Sequence, residues 1–197
     1  IMPLGAHKAA IMGVAGTTVT GDVVLLSTQT ASNSTEISFT SGITSTYGEY
    51  IFKFYNINPA TDNVDFTFQA NATDITSYDT AMTTSAFLAH HNEDNSAAAI
   101  TYTANEDQAQ GTSYQPLAYE IGNGADESCA GTLHLFNPSS TTYAKHFYSR
   151  VSNYGQEDRS NDIYIAGYFN DTTAIDDIQF KMTSGNFDGK IKMWGVK

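Results

Sequence analysis

The chain has 197 residues, a length that suits one domain of the all-β sandwich or barrel kind. Nine lysine and arginine residues stand against 21 aspartate and glutamate residues, and the resulting net charge of -12 argues against nucleic acid and anionic membranes as partners. The single cysteine, Cys129, excludes an intramolecular disulfide, so packing and assembly must stabilise the fold.

The first residues, IMPLGAHKAAIMGVAG, predict an extended N-terminal arm. Their apolar stretch is short and is interrupted by Gly13 and Gly16, so it has neither the apolar core of a signal peptide nor the length of a membrane span. We divide the chain into this arm, residues 1–20, and one β-sandwich domain, residues 21–197. The arm residues expected to contact a neighbouring subunit are Pro3, Leu4, Ile11 and Met12.

Twelve short runs rich in β-branched and aromatic residues come next, and each predicts a β-strand. Clusters of Asn, Asp, Gly and Pro separate many of them, and no stretch has the pattern of an amphipathic helix of three turns. The runs are 22–28, 36–40, 48–59, 63–70, 84–90, 98–103, 115–121, 131–137, 142–153, 161–170, 175–182 and 189–196. This spacing is typical of antiparallel sandwiches and barrels.

The run NVDFTFQA alternates between apolar and polar residues and predicts a half-buried strand. The residues expected to face the core are Val64, Phe66, Phe68 and Ala70. The residues expected to face water are Asp65, Thr67 and Gln69.

Two other runs, EYIFKFYNI and DIYIAGYF, are apolar on both faces. A two-layer sandwich covers only one face of each strand, so the second face needs a loop, an arm or another subunit, unless tyrosines are simply tolerated in water. The second faces are formed by Ile51, Tyr55 and Ile57 in the first run and by Tyr164, Ala166 and Tyr168 in the second.

No group of residues predicts catalysis, and we expect a non-enzymatic protein without a metal or a cofactor. The five histidines lack the spacing of a metal site, and the sequence contains no phosphate-binding loop. Most acidic residues fall in turn-rich segments, where they are solvated, instead of forming a pair across a cleft. Cys129 has no neighbouring base that would make it a nucleophile.

The last run, GKIKMWGV, places the only tryptophan, Trp194, on one face with Lys190 and Lys192. An aromatic side chain among polar groups suits a sugar-binding platform or an interface anchor. The alternative is that the aliphatic parts of the lysines cover the indole in an ordinary outer layer.

The segment SGNFDG precedes this last run and predicts a turn, in which Gly185 and Gly189 can adopt positive φ angles. The turn is expected to fold the last run back on IDDIQFKM as a hairpin, although pairing with a more distant strand also fits.

Four segments carry a resemblance to a known group of proteins: MPLGAHKAAIMGVAG, ISFTSGITSTYGEYIFKFYNINPATDNVDFTFQ, GTLHLFNPSSTTYAKHF and IDDIQFKMTSGNFDGKIKMWGVK. They resemble virion proteins of marine tailed bacteriophages, including cyanophages, over nearly the whole chain. The resemblance implies a jelly-roll-like antiparallel β-sandwich on the virion, as a capsid decoration protein or a tail or fibre component. It supplies no catalytic residue.

Two functions follow from these observations. In the first, the chain is a structural protein of the virion, and the arm together with Tyr164, Tyr168 and Trp194 contacts other virion proteins and copies of the chain in a homotrimer. In the second, it is a lectin-like receptor-recognition module that binds a host surface glycan through Trp194, the tyrosines and the acidic loops around residues 92–107.

Overall fold

The computed structural model describes residues 22–74 and 76–197, and these residues form twelve β-strands and no helix. The strands are β1 (Val23–Ser34), β2 (Glu36–Phe39), β3 (Glu49–Pro59), β4 (Val64–Ala72), β5 (Met82–Asn92), β6 (Ala98–Tyr102), β7 (Gln115–Ile121), β8 (Cys129–Phe136), β9 (His146–Gly155), β10 (Arg159–Phe169), β11 (Ile175–Met182) and β12 (Phe187–Val196). Each predicted run overlaps one of them, which confirms the all-β prediction. None of the described residues belongs to a helix long and apolar enough to cross a membrane.

The strands pair antiparallel throughout and form a large and a small sheet. The large sheet has the order β1-β12-β3-β8-β9-β10-β5-β6. The small sheet has the order β2-β11-β4-β7. One residue pair, Ile121 of β7 with Gly155 of β9, joins the two sheets at a corner.

Phenylalanine side chains from both sheets fill the space between them. The ring centroid of Phe180 in β11 lies 5.4 Å from that of Phe52 and 5.3 Å from that of Phe54, both in β3. Towards the other end of the core, Phe68 of β4 lies 5.1 Å from Phe147 of β9. The small sheet therefore covers the inner face of the large sheet, which gives a sandwich-like shape around one core.

The prediction that Thr67 and Gln69 of β4 face water is wrong, because both side chains are buried. Gln69 donates hydrogen bonds from Nε2 to the backbone carbonyls of Thr112 and Ser113, at 3.0 and 3.1 Å, in the segment that joins β6 to β7. Thr67 donates from its hydroxyl to the carbonyl of Lys181 at 2.9 Å. These hydrogen bonds allow polar residues under a loop to be buried without a large penalty.

The prediction for the second face of β3 is wrong at Ile57, which is fully buried in the core. Asn56 has a positive φ of 49°, and the pairing of β3 with β8 shifts between Phe54 and Ile57. This bulge moves Ile57 to the inner side of the sheet. Of the three predicted outer residues, only Ile51 and Tyr55 remain on the outer side, and Tyr55 is exposed.

The predicted hairpin between the last two strands is also wrong. β11 pairs with β2 and β4 in the small sheet, whereas β12 pairs with β1 and β3 in the large sheet. The turn between them crosses from one sheet to the other, with Gly185 and Gly189 at the predicted positive φ angles of 74° and 139°. The crossing lets the apolar faces of both strands meet in the core instead of lying side by side.

Candidate functional site

The side of the large sheet that is turned away from the core carries many aromatic and basic residues. We call the outward-pointing residues of β3, β12, β8, β9, β10, β5 and β6 the outer face. Its principal members are Glu49, Ile51, Lys53, Tyr55, Lys190, Lys192, Trp194, His134, Phe136, His146, Tyr148, Arg150, Asp162, Tyr164, Tyr168, Phe87, Ile100 and Tyr102. No other described element covers this side of the sheet at Phe87, Ile100, Tyr148 and Tyr168, which are exposed.

The outer face carries three of the predicted contact residues, with Tyr164 and Tyr168 on β10 and Trp194 on β12, which is separated from β10 by β3, β8 and β9. The other four, Pro3, Leu4, Ile11 and Met12, lie with the predicted arm outside the described residues.

Strand register aligns the outer face in rows that run across the sheet. One row contains Trp194, Ile51, His134, Tyr148 and Ala166. The next row contains Lys192, Lys53, Thr132, Arg150, Tyr164, Phe87 and Tyr102. Rows two residues apart along a strand are separated by about 7 Å, so neighbouring rows touch and form one continuous surface.

The centre of the second row is an ordered stack of side chains. The rings of Phe87 and Tyr164 are nearly parallel, at 7°, with centroids 4.6 Å apart. The guanidinium group of Arg150 lies 5.0 Å from the centroid of Tyr164 and donates hydrogen bonds of 2.9 and 2.7 Å to Asp162. These contacts hold three long side chains flat against the sheet, as cation–π and stacking interactions do.

The hydrogen bonds from Arg150 hold the pKa of Asp162 below its ordinary value. A carboxylate with a lowered pKa in the folded state stabilises the fold above the pKa of the unfolded chain, near 4, and loses that effect as the pH falls through its folded pKa. We therefore expect the urea midpoint of the natural chain to exceed that of Asp162→Asn at pH 7 and the difference to shrink as the pH is lowered below about 4. A difference that is constant over this range would contradict an ionised pair.

Two lysines lie over aromatic rings at the other side of the outer face. Lys53 Nζ is 5.7 Å from the ring centroid of Trp194, and Lys192 Nζ is 5.4 Å from that of Tyr55. The lysine over the indole therefore comes from the neighbouring strand, not from the strand of Trp194. The indole is half-buried, and its Nε1 is buried without a hydrogen-bond partner among the described residues. The indole of Trp194 is therefore only partly accessible from the outer face.

His134 connects the first row to an acidic residue. Its Nδ1 lies 2.6 Å from Oε1 of Glu49, and its ring stacks on Tyr148 with centroids 4.5 Å apart. The ring of Phe136 lies 5.7 Å from that of Tyr148. The three rings form a half-exposed cluster that leads from the centre of the outer face to one end of the sheet.

At that end, a cleft of about 620 Å³ opens between two loops, and we call it the end cleft. It is lined by Ser45, Tyr47, Gly48, Phe136, Asn137, Ser139, Ser140, Tyr143, Ala144 and His146. A second depression, of about 470 Å³, shares Phe136 and His146 with it and continues along β9 and β10 past Tyr148 and Tyr168. Together they form an open groove with aromatic walls.

The chain's charge is unevenly distributed over its surface. Four of the nine lysine and arginine residues, Lys53, Arg150, Lys190 and Lys192, lie on the outer face. On the small sheet, by contrast, Glu36, Asp176 and Asp177 lie near Tyr78, and burial together with these charges raises the pKa of that tyrosine. One side of the protein thus carries aromatic residues with four basic and two acidic side chains, the acidic ones being Glu49 and Asp162, and another side is acidic.

Among the acidic residues, Glu120 and Glu157 are brought together by ion pairs with Arg159. Among the described residues, no three His, Cys, Asp or Glu side chains lie close enough to hold a metal ion. Cys129 is buried, and burial raises the pKa of its thiol, which therefore stays protonated near neutral pH.

The end cleft could not be predicted from the sequence. Its walls come from segments about 90 residues apart, 45–48 and 136–146, which only the pairing of β3 with β8 brings together. The one local feature of the sequence that indicates the cleft is Tyr143, a tyrosine that follows Ser and Thr residues and is 74% exposed in the structure.

Comparison with protein-family models, with curated proteins and with solved structures finds no match to this chain.

Proposed function

We propose that the chain is a non-enzymatic structural protein of a phage virion, located on the particle surface as a capsid decoration protein or as a tail or fibre component. The observation that carries the proposal is the outer face, where stacked and exposed aromatic residues extend over four neighbouring strands. Interfaces are enriched in aromatic residues and arginine, and monomeric proteins seldom leave so wide an aromatic surface uncovered. The resemblance to virion proteins of tailed bacteriophages provides the biological setting.

We propose further that the sandwich is a jelly roll with two insertions. If β5, β6, β9 and β10 are set aside, the remaining eight strands have the sheet orders β1-β12-β3-β8 and β2-β11-β4-β7. Renumbered 1 to 8 in chain order, these strands have the order 1-8-3-6 in one sheet and 2-7-4-5 in the other. This is the strand order of a jelly roll. This architecture is common in viral capsid proteins and lectins. The four inserted strands widen the large sheet and supply most of the exposed aromatic residues.

The occupant that best fits the outer face is a second copy of the chain. The outer face of one copy, whose four basic residues exceed its acidic residues Glu49 and Asp162, is complementary in charge to the acidic region around Glu36, Asp176 and Asp177 on another. Contacts between two different surfaces of identical subunits generate a closed ring when the rotation from each subunit to the next returns to the first subunit. A homotrimer is the ring expected here, and the predicted arm adds contacts to neighbouring virion proteins.

We expect light scattering of the purified full chain to give the mass of a trimer at about 100 µM, a concentration at which interfaces of ordinary size are populated. The double variant Phe87→Asp/Ile100→Asp should be a monomer, because it places two charges in the apolar part of the interface. Ile100 is 79% exposed and Phe87 is 42% exposed, so neither substitution should prevent folding.

The control variant Asn123→Asp/Ala125→Asp adds the same charge at two exposed residues of the loop between β7 and β8, outside both the outer face and the acidic region, and should remain a trimer. A monomeric natural chain, or an oligomer that persists in the Phe87→Asp/Ile100→Asp variant, would refute self-association through this surface. Labelling of purified phage particles with antibodies against the chain then tests the virion location directly.

The alternative function is a carbohydrate-binding receptor-recognition module. The specific observation that favours it is the end cleft, whose aromatic lining is independent of Trp194. The jelly-roll proposal is compatible with both functions, because lectins share this architecture.

A further inference from the structure

The end cleft has the size of a small-molecule site. Ligand-binding clefts in proteins are typically of about 300–1,000 Å³, and the end cleft, at about 620 Å³, falls within that range. Its floor is formed by the end of β8 and the start of β9, with Phe136 and His146. Its walls are the loop before β3 and the loop between β8 and β9, here called the first and second wall.

The first wall is held by hydrogen bonds to the core. The buried Tyr50 hydroxyl accepts a hydrogen bond of 2.7 Å from the amide of Thr44 and donates one of 2.8 Å to the carbonyl of the same residue. Further along, the amide of Gly48 donates to the carbonyl of Val196 at 3.0 Å. The ring of Tyr47 packs against the backbone of Gly195, where an added Cβ would lie 2.6 Å from it.

The second wall is fixed to the first and to itself. The amide of Asn137 donates to the carbonyl of Gly48 at 2.7 Å, and the amide of Tyr143 donates to Oγ of Ser140 at 3.1 Å. Lys145, at the end of this wall, is buried and donates from Nζ to the carbonyl of Asp171 at 2.9 Å. Both walls are therefore formed before any ligand arrives, which reduces the entropy cost of binding.

The lining of the end cleft selects one class of ligand. It contains no Asp, Glu, Lys or Arg, although the chain has 21 acidic residues. Aromatic rings alternate with hydroxyl and amide groups, namely Tyr47, Phe136, Tyr143, Ser139, Ser140 and Asn137. Apart from the imidazole of His146, the lining offers no side chain that can carry a charge and pair with an anion or a cation. A ligand with an apolar face and an uncharged hydroxyl edge matches both kinds of group.

We propose that the end cleft binds a neutral saccharide, with the exposed ring of Tyr143 stacked on the apolar face of a pyranose. Asn137 and Ser139 stand beside it, where an amide and a hydroxyl meet the edge of the sugar. The second depression, beyond Phe136 and His146, accommodates a further sugar unit, so an oligosaccharide is preferred over a monosaccharide. This proposal rests on the alternative function above and assigns the sugar site to the end cleft instead of Trp194.

Saturation-transfer NMR on the full chain, with maltotetraose, cellotetraose and mannotetraose as neutral probes and trigalacturonate as the acidic probe, tests the proposal. At least one neutral probe at about 10 mM should receive saturation, since shallow sites bind with millimolar or tighter dissociation constants. Tyr143→Ala should raise the dissociation constant about tenfold by removing the stacking ring, which Tyr143→Phe retains. Because Tyr143 is 74% exposed, neither substitution should affect folding.

The matched control is Tyr55→Ala, which removes an exposed tyrosine of the same sheet that does not line the end cleft and should leave the dissociation constant unchanged. The proposal is overturned if no neutral probe receives saturation, if only trigalacturonate does, or if Tyr143→Ala binds as well as the natural chain. Self-association is measured separately with the Phe87→Asp/Ile100→Asp variant, so a failure of either proposal can be distinguished from a failure of the other.

Discussion

Replacement of Phe180 by alanine is expected to lower the free energy of unfolding by about 3–5 kcal/mol, the usual cost of removing a buried phenylalanine. The ring of Phe180 is fully buried and is the centre of the aromatic core. Its centroid lies 5.3–6.4 Å from the centroids of five other phenylalanines, Phe39, Phe52, Phe54, Phe66 and Phe68. These come from both sheets, so the substitution leaves a cavity at the contact that holds the sandwich together.

Urea denaturation gives the measurement, with the fluorescence of Trp194 and far-ultraviolet circular dichroism as two independent probes. Since domains of this kind are stable by about 5–15 kcal/mol, the variant should be partly unfolded already at low urea concentrations. Ile100→Ala serves as the control, because this side chain is 79% exposed and its loss should change stability by less than about 0.5 kcal/mol. Equal effects of the two substitutions would show that Phe180 is not the centre of the core.

Replacement of Gly131 by alanine is expected to destabilise the protein by about 1–3 kcal/mol or more, as overpacking does. A Cβ at this position would lie 2.4 Å from the backbone oxygen of Arg150 and 2.7 Å from Cα of Val151, both in β9. Backbone atoms of a paired strand cannot rotate away, so β8 and β9 must separate locally. The strain would also disturb the outer face, because these two strands carry His134 and Tyr148.

Gly48→Ala is the matched control for Gly131→Ala. Its Cβ would meet only Oδ1 of Asn137, at 3.6 Å, which is an ordinary van der Waals contact, and the φ angle of Gly48 is not in the left-handed region. We expect its urea midpoint to stay close to that of the natural chain. If Gly131→Ala were tolerated as well as Gly48→Ala, the close approach of β8 to β9 would be wrong.

The outer face could be predicted in part from the sequence. Side chains alternate along a strand, so the core residues Ile163 and Ile165 place Tyr164 and Tyr168 on the opposite side, as Ile191 and Met193 do for Trp194. Which residues stand beside them could not be predicted. Arg150, Tyr164 and Phe87 lie on three strands, and only strand register makes them neighbours.

The sequence by itself determined the twelve strands, the turns between them and the acidic charge, because apolar alternation and turn residues act within a few positions of the chain. The tertiary structure decided what those strands pair with. It placed β12 between β1 and β3, buried Gln69 under a loop, and moved Ile57 into the core through a bulge. It also built the end cleft from distant loops. Pairing and covering depend on contacts between residues far apart in the chain, and local patterns do not encode them.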